Sequence, residues 1–482
     1  MALPKRVAAV AGAAFLITAC GGTAAPASPA SAVPIQSSAA AQPASAAATQ
    51  SSAPAKPALA APASVSPAGS AAKPAGSAAA GPLKIGLLLP FTGPLSVSGR
   101  DNDDVISLYL QQTGGTLAGR QVELVKADDA AQADTGLTKI RQLVESDKVA
   151  LVMGLQSSQV CYATSGYIRD AKIPAMATAD CAAQDLTINP KYASPYLVRT
   201  VGTIAHITDP SADWTIKAGF KKAILMTSDF VAGVQFGDLY ASAYVARGGE
   251  IVQEIHPPLG TQDFGPYLSA LNQQADVLVL FEPGTDGLRL SQQYAQYVGT
   301  SRKLQIFDMA GQMSNGKQRK DLGAVANGLV ASSAYMEAYD FPVNQQFVKL
   351  WYGKFPNVPP SQENGYGWSG MQFLEAALKQ VNGDVSDKDA FLKALHSTQI
   401  DSVRGPLKLD EHGDTVMNMF VYQYELKGSE LSQKPLQVYT SLSQFWDRTK
   451  EQVEKFPLGQ MKGKWVGMTK DKLGDVISLS KS

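Results

Sequence analysis

From residue 83 onward, short apolar runs alternate with segments that carry apolar residues at helical spacing. The run Leu83–Leu89 is apolar at nearly every position, which is typical of a strand buried on both faces of a parallel sheet. Asp101–Gln112 has apolar residues at helical spacing and is soon followed by two glycines, which predicts a helix that ends there. Two more strands are predicted at Val122–Val125 and Val149–Met153, with an amphipathic helix over Asp134–Val144 between them.

The same alternation continues as far as residue 332. It predicts helices over 162–170, 206–218, 235–247, 264–274 and 287–298, and strands over 174–177, 196–201, 223–227, 250–255, 277–281, 305–307 and 328–332. Repeated units of strand and helix at this spacing predict an α/β fold with doubly wound parallel sheets flanked by helices. In such sheets small molecules bind beyond the carboxyl ends of the strands, so the loops that follow the strands form the candidate site.

The first twenty residues have the pattern of an export signal. Two positive charges in MALPKR precede the uncharged segment Val7–Ala19, which is shorter than the roughly 20 apolar residues that span a bilayer. The sequence ITAC at 17–20 resembles a bacterial lipobox, in which the sulfur of the cysteine receives a diacylglycerol. We predict lipidation at Cys20, and the alternative is an ordinary secretory signal with an incidental cysteine. Acyl chains supply the anchoring energy, so such a protein needs no transmembrane helix.

Residues 21–81 consist almost entirely of Ala, Ser, Pro, Gly and Thr, with Lys56 and Lys73 as the only charged side chains. Such a segment buries too little apolar surface to offset the entropy of ordering, so we predict a disordered tether. The remaining part of the chain, about 400 residues, exceeds the usual size of one domain and predicts two lobes.

Charge and residue counts exclude several classes of protein. The chain has 42 basic and 42 acidic residues and no basic block, so nothing indicates a nucleic-acid partner. Its four histidines are scattered without the spacing of metal ligands. The sequence also contains no nucleophile elbow, dinucleotide fingerprint, Walker loop or histidine-centred triad. We therefore predict no catalytic residue, no metal and no cofactor.

Two stretches carry a resemblance to a known family. KIGLLLPFTGPLSVSGRD, followed by GGTLAGRQVELVKADDAAQADTGLTKIRQLVESDKVALVMG, is similar to the branched-chain-amino-acid-type binding proteins of ABC importers. Those proteins open with a strand that ends in a T/S-G-P loop, and a later strand ends in glycine with serines after it. The likeness covers most of residues 83–415 and includes DFVAG at 229–233 and GPLKLD at 405–410.

The resemblance implies a two-lobed periplasmic-binding-protein type I fold. Each lobe is then a doubly wound parallel sheet flanked by helices, and three crossovers near residues 202, 332 and 403 form the hinge. Lobe 1 comprises 83–202 and 332–402, lobe 2 comprises 203–331 and 403–450, and 451–482 form a C-terminal extension.

The resemblance also implies ligand-binding residues in lobe 1. Ser157 and Ser158 follow a buried strand, where hydroxyl and backbone N–H groups at a helix start can hold a carboxylate; alternatively they only cap the helix. Ala179, Asp180 and Cys181 fall where the family grips the ligand carboxylate, and the cysteine replaces a threonine. A charged Asp180 would repel a carboxylate, so either Asp180 points away as an N-cap or the ligand is not a simple carboxylate.

In lobe 2 the resemblance implies Phe230 as an aromatic contact, and Phe281 and Glu282 lie at the end of another buried strand, 277–281. Glu282 either binds a cationic or hydroxyl group or is a solvated loop residue. The family's ammonium-binding glutamate corresponds to Ala310, with Asp308 as a candidate substitute. Because of these departures, an aromatic or aliphatic acid, an amide or another small polar metabolite is as plausible a ligand as an amino acid.

Two further features leave alternatives open. Cys161 and Cys181 lie on successive loops at the same sheet edge, and they either form a disulfide in an oxidising compartment or remain free thiols. Tyr366 and Trp368 lie in a Gly-rich stretch that either borders the cleft or belongs to the core.

The predicted function is that of an extracytoplasmic solute receptor of an ABC importer, lipid-anchored to the bacterial cell membrane at Cys20. Its predicted partners are a small-molecule ligand and the transmembrane permease subunits. The alternative is a ligand-sensing surface lipoprotein that signals to a membrane receptor, which would have the same fold.

Overall fold

The computed structural model describes residues 81–298, 304–314, 316, 319, 322–428 and 430–474. The predicted export signal, the predicted lipidation site Cys20 and the predicted tether as far as residue 80 lie outside these described residues, and so do residues 475–482. Within the described part, no helix combines the length and the apolar character needed to cross a membrane.

The first sheet has six strands among the described residues, in the order β2-β3-β1-β4-β5-β6, and only the β2–β3 pair is antiparallel. Its strands are β1 (Leu83–Leu89), β2 (Thr116–Leu117), β3 (Arg120–Asp128), β4 (Leu151–Gly154), β5 (Ala175–Ala177) and β6 (Leu197–Arg199). Helices α1 (Ser96–Gln112), α2 (Ala133–Arg141) and α3 (Ser158–Ala171) connect them. The central strand β1 is buried along nearly its whole length, as its apolar run predicts.

The second sheet has nine strands among the described residues, in the order β12-β13-β14-β11-β10-β9-β7-β8, with β15 paired to β14. Its parallel strands are β7 (Lys222–Thr227), β8 (Glu250–Ile255), β9 (Val277–Phe281), β10 (Gln305–Asp308) and β11 (Val330–Ser333). The helices of this part are α4 (Ile204–Lys217), α5 (Val231–Ala246), α6 (Gly265–Ser269) and α7 (Thr285–Tyr297). Antiparallel strands extend the sheet: β12 (Gln399–Ser402), β13 (Gly405–Leu409), β14 (Thr415–Lys427) and β15 (Glu430–Leu442).

The segment between β11 and β12 contains the helices α8 (Pro342–Lys354), α9 (Gln362–Gln380) and α10 (Lys388–Ser397). α9 packs closely along α1 because Gly367 has no side chain: a Cβ there would lie 2.5 Å from Cγ1 of Val105. The buried guanidinium of Arg404 donates to the carbonyl of Thr200 (2.5 Å) and to the hydroxyl of Ser369 (3.1 Å). Arg404 therefore holds together the β6–α4 connection, α9 and the turn between β12 and β13.

Two mostly parallel sheets flanked by helices confirm the predicted α/β fold, and the predicted ends of β1 and β8 are correct. The helix predicted over 264–274 is wrong in length, because α6 ends at Ser269. There the side chain of Gln253 donates to the carbonyl of Ala270 (3.0 Å) and accepts from the N–H of Asn272 (2.8 Å). Gln253 on β8 thus forms hydrogen bonds with backbone groups that would otherwise pair within another helical turn.

The chain after β15 packs against the helices of the second sheet. Buried Arg448 forms two hydrogen bonds with the carboxylate of Asp209 on α4, at 2.9 and 2.8 Å. The indole N–H of fully buried Trp465 donates to Asp238 on α5 (3.0 Å). This segment includes the short helices α11 (Lys450–Lys455) and α12 (Lys470–Leu473). The pattern of alternating strands and helices does not predict this packing, because it depends on residues more than two hundred positions away.

Candidate ligand-binding site

The loop after β4 places two serines at the carboxyl edge of the first sheet. It turns through Gly154, whose φ of 98° suits glycine, and a Cβ there would lie 2.5 Å from the carbonyl oxygen of Leu88. Ser157 is the N-cap residue of α3 but its side chain makes no capping hydrogen bond, and Ser158 begins the helix. Both hydroxyls are buried and have no hydrogen-bond partner. Capping does not occupy these hydroxyls, so they are available to a ligand.

The loop after β5 carries Asp180 at the same edge. The N–H of Gly154 donates to the hydroxyl of Thr178 (3.2 Å), and the N–H of buried Ala179 donates to the carbonyl of Gly154 (3.1 Å). Asp180 is half-buried, and its Oδ1 has no hydrogen-bond partner. Asp180 is not the N-cap of a helix, because the next element along the chain is strand β6.

Cys161 on α3 and Cys181 are joined as a disulfide, with their Cα atoms 6.3 Å apart. Both residues are fully buried, so the bond ties the loop after β5 to the helix that Ser158 begins. The sulfur of Cys181 therefore offers no thiol to a ligand. Its backbone carbonyl accepts a hydrogen bond from the guanidinium of Arg199 (3.1 Å), which holds the loop from the side of β6.

The start of α9 brings Glu363 to this edge of the first sheet. The amide of Asn102 on α1 donates to the carbonyl of Thr178 (2.7 Å) and to the carbonyl of Glu363 (3.2 Å). One side chain thereby fixes the start of α9 against the loop that carries Asp180. One turn further along α9, the hydroxyl of fully buried Tyr366 has no hydrogen-bond partner of good geometry.

The carboxyl group of Glu363 is almost fully buried, and neither oxygen forms a hydrogen bond of good geometry. Burial raises the pKa of Glu363 well above its usual range, and the charges of Asp180 and Asp101 raise it further. The amides of Gln156 and Gln312 lie near enough to favour the charged form but do not offset the burial. Burial also raises the pKa of Asp180, to about 7.

Aromatic rings lie at the carboxyl edge of the second sheet. Phe230 follows β7, is half-buried, and stacks nearly parallel to Phe281 with ring centroids 6.4 Å apart. Phe281 is itself buried and stacks on Phe236 at 3.7 Å. Phe230 can therefore present ring surface to a ligand, while Phe281 stacks on Phe230 and holds its ring in place.

Two acids also lie at the edge of the second sheet. Glu282 is fully buried and accepts a hydrogen bond from the hydroxyl of Ser228, and burial raises its pKa well above the usual range. Asp308 is equally buried but accepts from the N–H of Met313 (3.2 Å) and from the N–H and hydroxyl of Ser314 (2.9 and 2.6 Å). The carboxylate of Asp308 is thus engaged by its own loop, although burial still raises its pKa to about 6.

The two sheet edges contact each other. The N–H of Thr285 at the start of α7 donates to the carbonyl of Pro94 after β1 (2.9 Å), and a Cβ at Gly284 would lie 2.3 Å from that oxygen. The amide of Gln235 on α5 donates to the hydroxyl of Tyr162 on α3 (3.2 Å). The elements at the two sheet edges therefore pack against each other at these points.

A set of buried polar atoms without hydrogen-bond partners lies at these edges. It comprises Oε1 of Gln156, the hydroxyls of Ser157 and Ser158, Oδ1 of Asp180, Oε1 of Glu282, both carboxyl oxygens of Glu363 and the hydroxyl of Tyr366. Each buried polar group left unpaired costs about 1–3 kcal/mol, so a cluster of them indicates a place where a ligand completes the bonds. Among the described residues, no group of three or more His, Cys, Asp or Glu side chains could hold a metal ion.

Sequence reasoning did not single out Gln156, Gln312 or Glu363. Gln156 directly precedes the predicted serines, and Glu363 belongs to the polar run SQEN that starts a Gly-rich helix, so polar residues at helix starts are the signal that was missed. Gln312 has no such signal, because its role depends on the approach of the second sheet. Trp368 belongs to the core, with its ring centroid 5.0 Å from that of Phe347.

Residues 82–430 match the family described as periplasmic binding protein. The chain belongs to this family. A relative in Brucella melitensis, Leu/Ile/Val-binding protein homolog 6, is 27% identical over 341 residues, which cover 70% of this chain and 85% of the relative. The family match confirms the resemblance seen in the sequence, and it implies an extracytoplasmic location.

Solved structures of solute-binding proteins of ABC transporters have the same fold. One, from Rhodopseudomonas palustris BisB5 in complex with 3,4-dihydroxybenzoic acid, has a TM-score of 0.70 and 28% identity, covering 75% of this chain and 98% of that one. Another, from R. palustris in complex with benzoate, has a TM-score of 0.68 and 27% identity with the same coverage. The chain is a solute-binding protein of the ABC-transporter type, and the family is one of substrate-binding receptors.

Proposed function

We propose that this protein captures a small organic solute between the two sheet edges and delivers it to the permease of an ABC importer. The observation that carries the proposal is the set of buried polar atoms without partners at Ser157, Ser158, Asp180 and Glu363. A ligand placed there completes their hydrogen bonds, and contacts made only when both lobes engage the ligand favour the closed form.

The proposed ligand has the size of an amino acid or of a substituted benzoate. Two similar proteins hold 3,4-dihydroxybenzoic acid and benzoate, and the Brucella relative is named for leucine, isoleucine and valine. The half-buried ring of Phe230 suits an aromatic or branched apolar group. We therefore propose an amino acid, or an aromatic or aliphatic acid or amide, as the ligand.

We assign different roles to the candidate residues. Ser157, Ser158, Ala179 and Asp180 contribute to binding from the first sheet. Phe230, supported by Phe281, and Glu282 contribute from the second sheet. Cys181 and Asp308 hold loops in place, since the first is in a disulfide and the second is engaged by Ser314.

We further propose that Cys20 carries a lipid anchor and that residues 21–81 form the tether. A flexible coil of this length reaches roughly 40–45 Å, from about 5–6 Å times the square root of its length. In cells grown with labelled palmitate, we expect label on the wild-type protein and none on the Cys20→Ser variant. Label retained by the variant, or absent from the wild type, would contradict this anchor.

A thermal-shift screen tests the receptor function. The purified full-length protein is heated with single amino acids, aromatic acids, short-chain acids, amides and amines. A true ligand at one hundred times its Kd should raise the free energy of unfolding by about 2.7 kcal/mol. Ser158→Leu should abolish the shift because the larger side chain fills the site, while Glu411→Gln, an exposed control, should keep it. A broad library that produces no shift would contradict the proposal.

The comparisons favour delivery to a permease over signalling to a membrane receptor. Both structural relatives described above are solute-binding proteins of ABC transporters. Deleting the gene should abolish uptake of the ligand that the screen identifies. Unchanged uptake in the deletion strain would favour the sensor instead.

A further inference from the structure

We propose that the ligand carries a protonated nitrogen, as an ammonium, amidinium or guanidinium group, and that Asp180 and Glu363 together receive it. This inference rests on the proposed function, because it names the ligand chemistry of the same site. It separates this protein from its benzoate-binding relatives, whose ligands are acids.

The fold holds the two carboxyl groups near each other. α9 and the loop after β5 approach closely at Gly370, where a Cβ would lie 2.5 Å from the side chain of Thr178. The amide of Asn102 bridges the same two segments through the carbonyls of Thr178 and Glu363. Three carboxyl oxygens are buried there without a hydrogen-bond partner: Oδ1 of Asp180 and both oxygens of Glu363. Glu363 is only 1% exposed, so bulk water does not reach its carboxyl oxygens.

The charges with the largest effect on Glu363 are acidic. Those that affect the pKa of Glu363 belong to Asp180 and Asp101, and the nearby amides of Gln156 and Gln312 are neutral. An ionised carboxylate only accepts hydrogen bonds, and a buried one is retained when a positive partner with several N–H donors completes it. A protonated nitrogen on the ligand meets both requirements.

Arg404 packs over the ring of Tyr366 and forms no hydrogen bond or ion pair with Asp180 or Glu363 among the contacts of the described residues. Its guanidinium lies 4.8 Å from the ring centroid of Tyr366 and donates to the hydroxyl of Ser369 and the carbonyl of Thr200. The cation is therefore engaged within the hinge, and the pair still lacks a hydrogen-bonding partner of opposite charge.

The second sheet offers fewer free acceptors to a cation: Glu282 has one buried carboxyl oxygen without a hydrogen-bond partner, whereas Asp180 and Glu363 have three between them. The carboxylate of Asp308 has its acceptor sites filled by Met313 and Ser314. Ser157 and Ser158, at the start of α3, can receive a carboxylate of the same ligand. A zwitterionic ligand would then lie with its carboxylate at the serines and its nitrogen at the acid pair.

Two series of probes test the inference. Each series contains a cation, a neutral compound and an anion of similar shape. Benzamidine, benzamide and benzoate form one series, and isoamylamine, isovaleramide and isovalerate form another; thermal shifts are measured with the purified full-length protein. We expect the cation of at least one series to bind at least tenfold more tightly than its neutral and anionic counterparts. Asp180→Asn and Glu363→Gln should each weaken that cation at least tenfold, whereas the exposed control Glu411→Gln should not.

The outcomes separate this inference from the receptor function. If benzoate stabilises the protein as much as benzamidine does, or isovalerate as much as isoamylamine, the inference is wrong but the receptor function stands. The same holds if the shift by the cation survives in both Asp180→Asn and Glu363→Gln. If neither series nor the wider library produces a shift, the receptor function fails and this inference with it.

Calorimetry supplies a measurement that needs no variant. Because a protonated nitrogen binds the ionised pair, binding should release a proton below pH 7, and affinity should fall as the pH is lowered through that region. The groups that face the pair are Asp101 on α1, Tyr366 on α9 and Arg404. The raised pKa of Tyr366 and the pKa of about 10 for Arg404 keep both in one charge state in this range. Titration in two buffers of different ionisation heat measures the protons, and proton uptake would overturn the inference.

Discussion

Asp308 and Glu363 are both buried acids, but only one of them has its hydrogen bonds made. Asp308, at the edge of the second sheet, accepts three hydrogen bonds from Met313 and Ser314. Glu363, at the edge of the first sheet, accepts none of good geometry. Burial raises the pKa of both acids. Burial of an acid therefore does not mark a ligand site, and the absence of bonding partners does.

Replacing Asp308 should have the largest effect on stability and little effect on ligand chemistry. Asp308→Ala removes three acceptor contacts and leaves buried N–H groups of Met313 and Ser314 unpaired, so we expect a loss of about 3 kcal/mol or more. Urea unfolding measures the change, with Asp180→Ala as the matched variant on the other edge. If the two variants lose similar free energies of unfolding, the proposed difference between Asp308 and Asp180 is wrong.

Breaking the disulfide should loosen the edge of the first sheet alone. The Cys161–Cys181 bond closes a loop of 20 residues, and removing it with Cys161→Ala and Cys181→Ala should cost roughly 3 kcal/mol in the chain-entropy account. Binding should also weaken, because the loop that carries Asp180 loses its tie to α3. Intact mass after alkylation without reductant checks the starting state. Two alkylated thiols in the wild-type protein would contradict the bond.

The pH dependence of stability should distinguish Asp180 from Asp308 by the pH range over which each acid acts. A raised pKa means that the folded protein keeps a proton which the unfolded chain releases, so ligand-free stability falls as pH rises from about 4 to the folded pKa. The fall attributable to Asp180 ends near pH 7 and that attributable to Asp308 near pH 6. Each proton contributes a limiting slope of about 1.4 kcal/mol per pH unit. Asp180→Asn should reduce the slope between pH 6 and 7, and an unchanged slope would contradict this assignment.

Glu363→Gln should change stability least, and it should raise stability, whereas Asp308→Ala and removal of the disulfide should lower it. The amide removes a buried acid next to the charge of Asp180, so we expect the ligand-free protein to gain about 1 kcal/mol. The same change should remove stabilisation by the ligand. Equilibrium unfolding with and without ligand measures both effects. A destabilised protein that still binds its ligand would mean that Glu363 serves the fold rather than the site.

The parts of the molecule that could be predicted from sequence are those whose pattern is local. The apolar run Leu83–Leu89 and the turn at Gly154 contain their own signals, and the structure places strand and turn there. The position of Ser157 and Ser158 after β4 follows from the same local signals. Their free hydroxyls could not be predicted, because a serine at a helix start usually caps it.

The rest depends on contacts between distant residues. Glu363 reaches the site because Asn102, 261 positions away, fixes the start of α9. Asp308 was an expected ligand contact from the resemblance, and its engagement by Ser314 follows from the conformation of its own loop. Tertiary structure decides which buried acids have hydrogen-bond partners. The sequence shows only that an acid is present.

Calorimetric titration tests the central claim most directly, namely that the edge of the first sheet holds the solute. The compound that stabilises the wild-type protein most in the screen is titrated into wild type, Ser158→Leu and Asp308→Asn. We predict one binding site in the wild type and in Asp308→Asn, and no measurable binding to Ser158→Leu. Full-affinity binding to Ser158→Leu, together with its loss in Asp308→Asn, would place the ligand on the other edge and contradict the account.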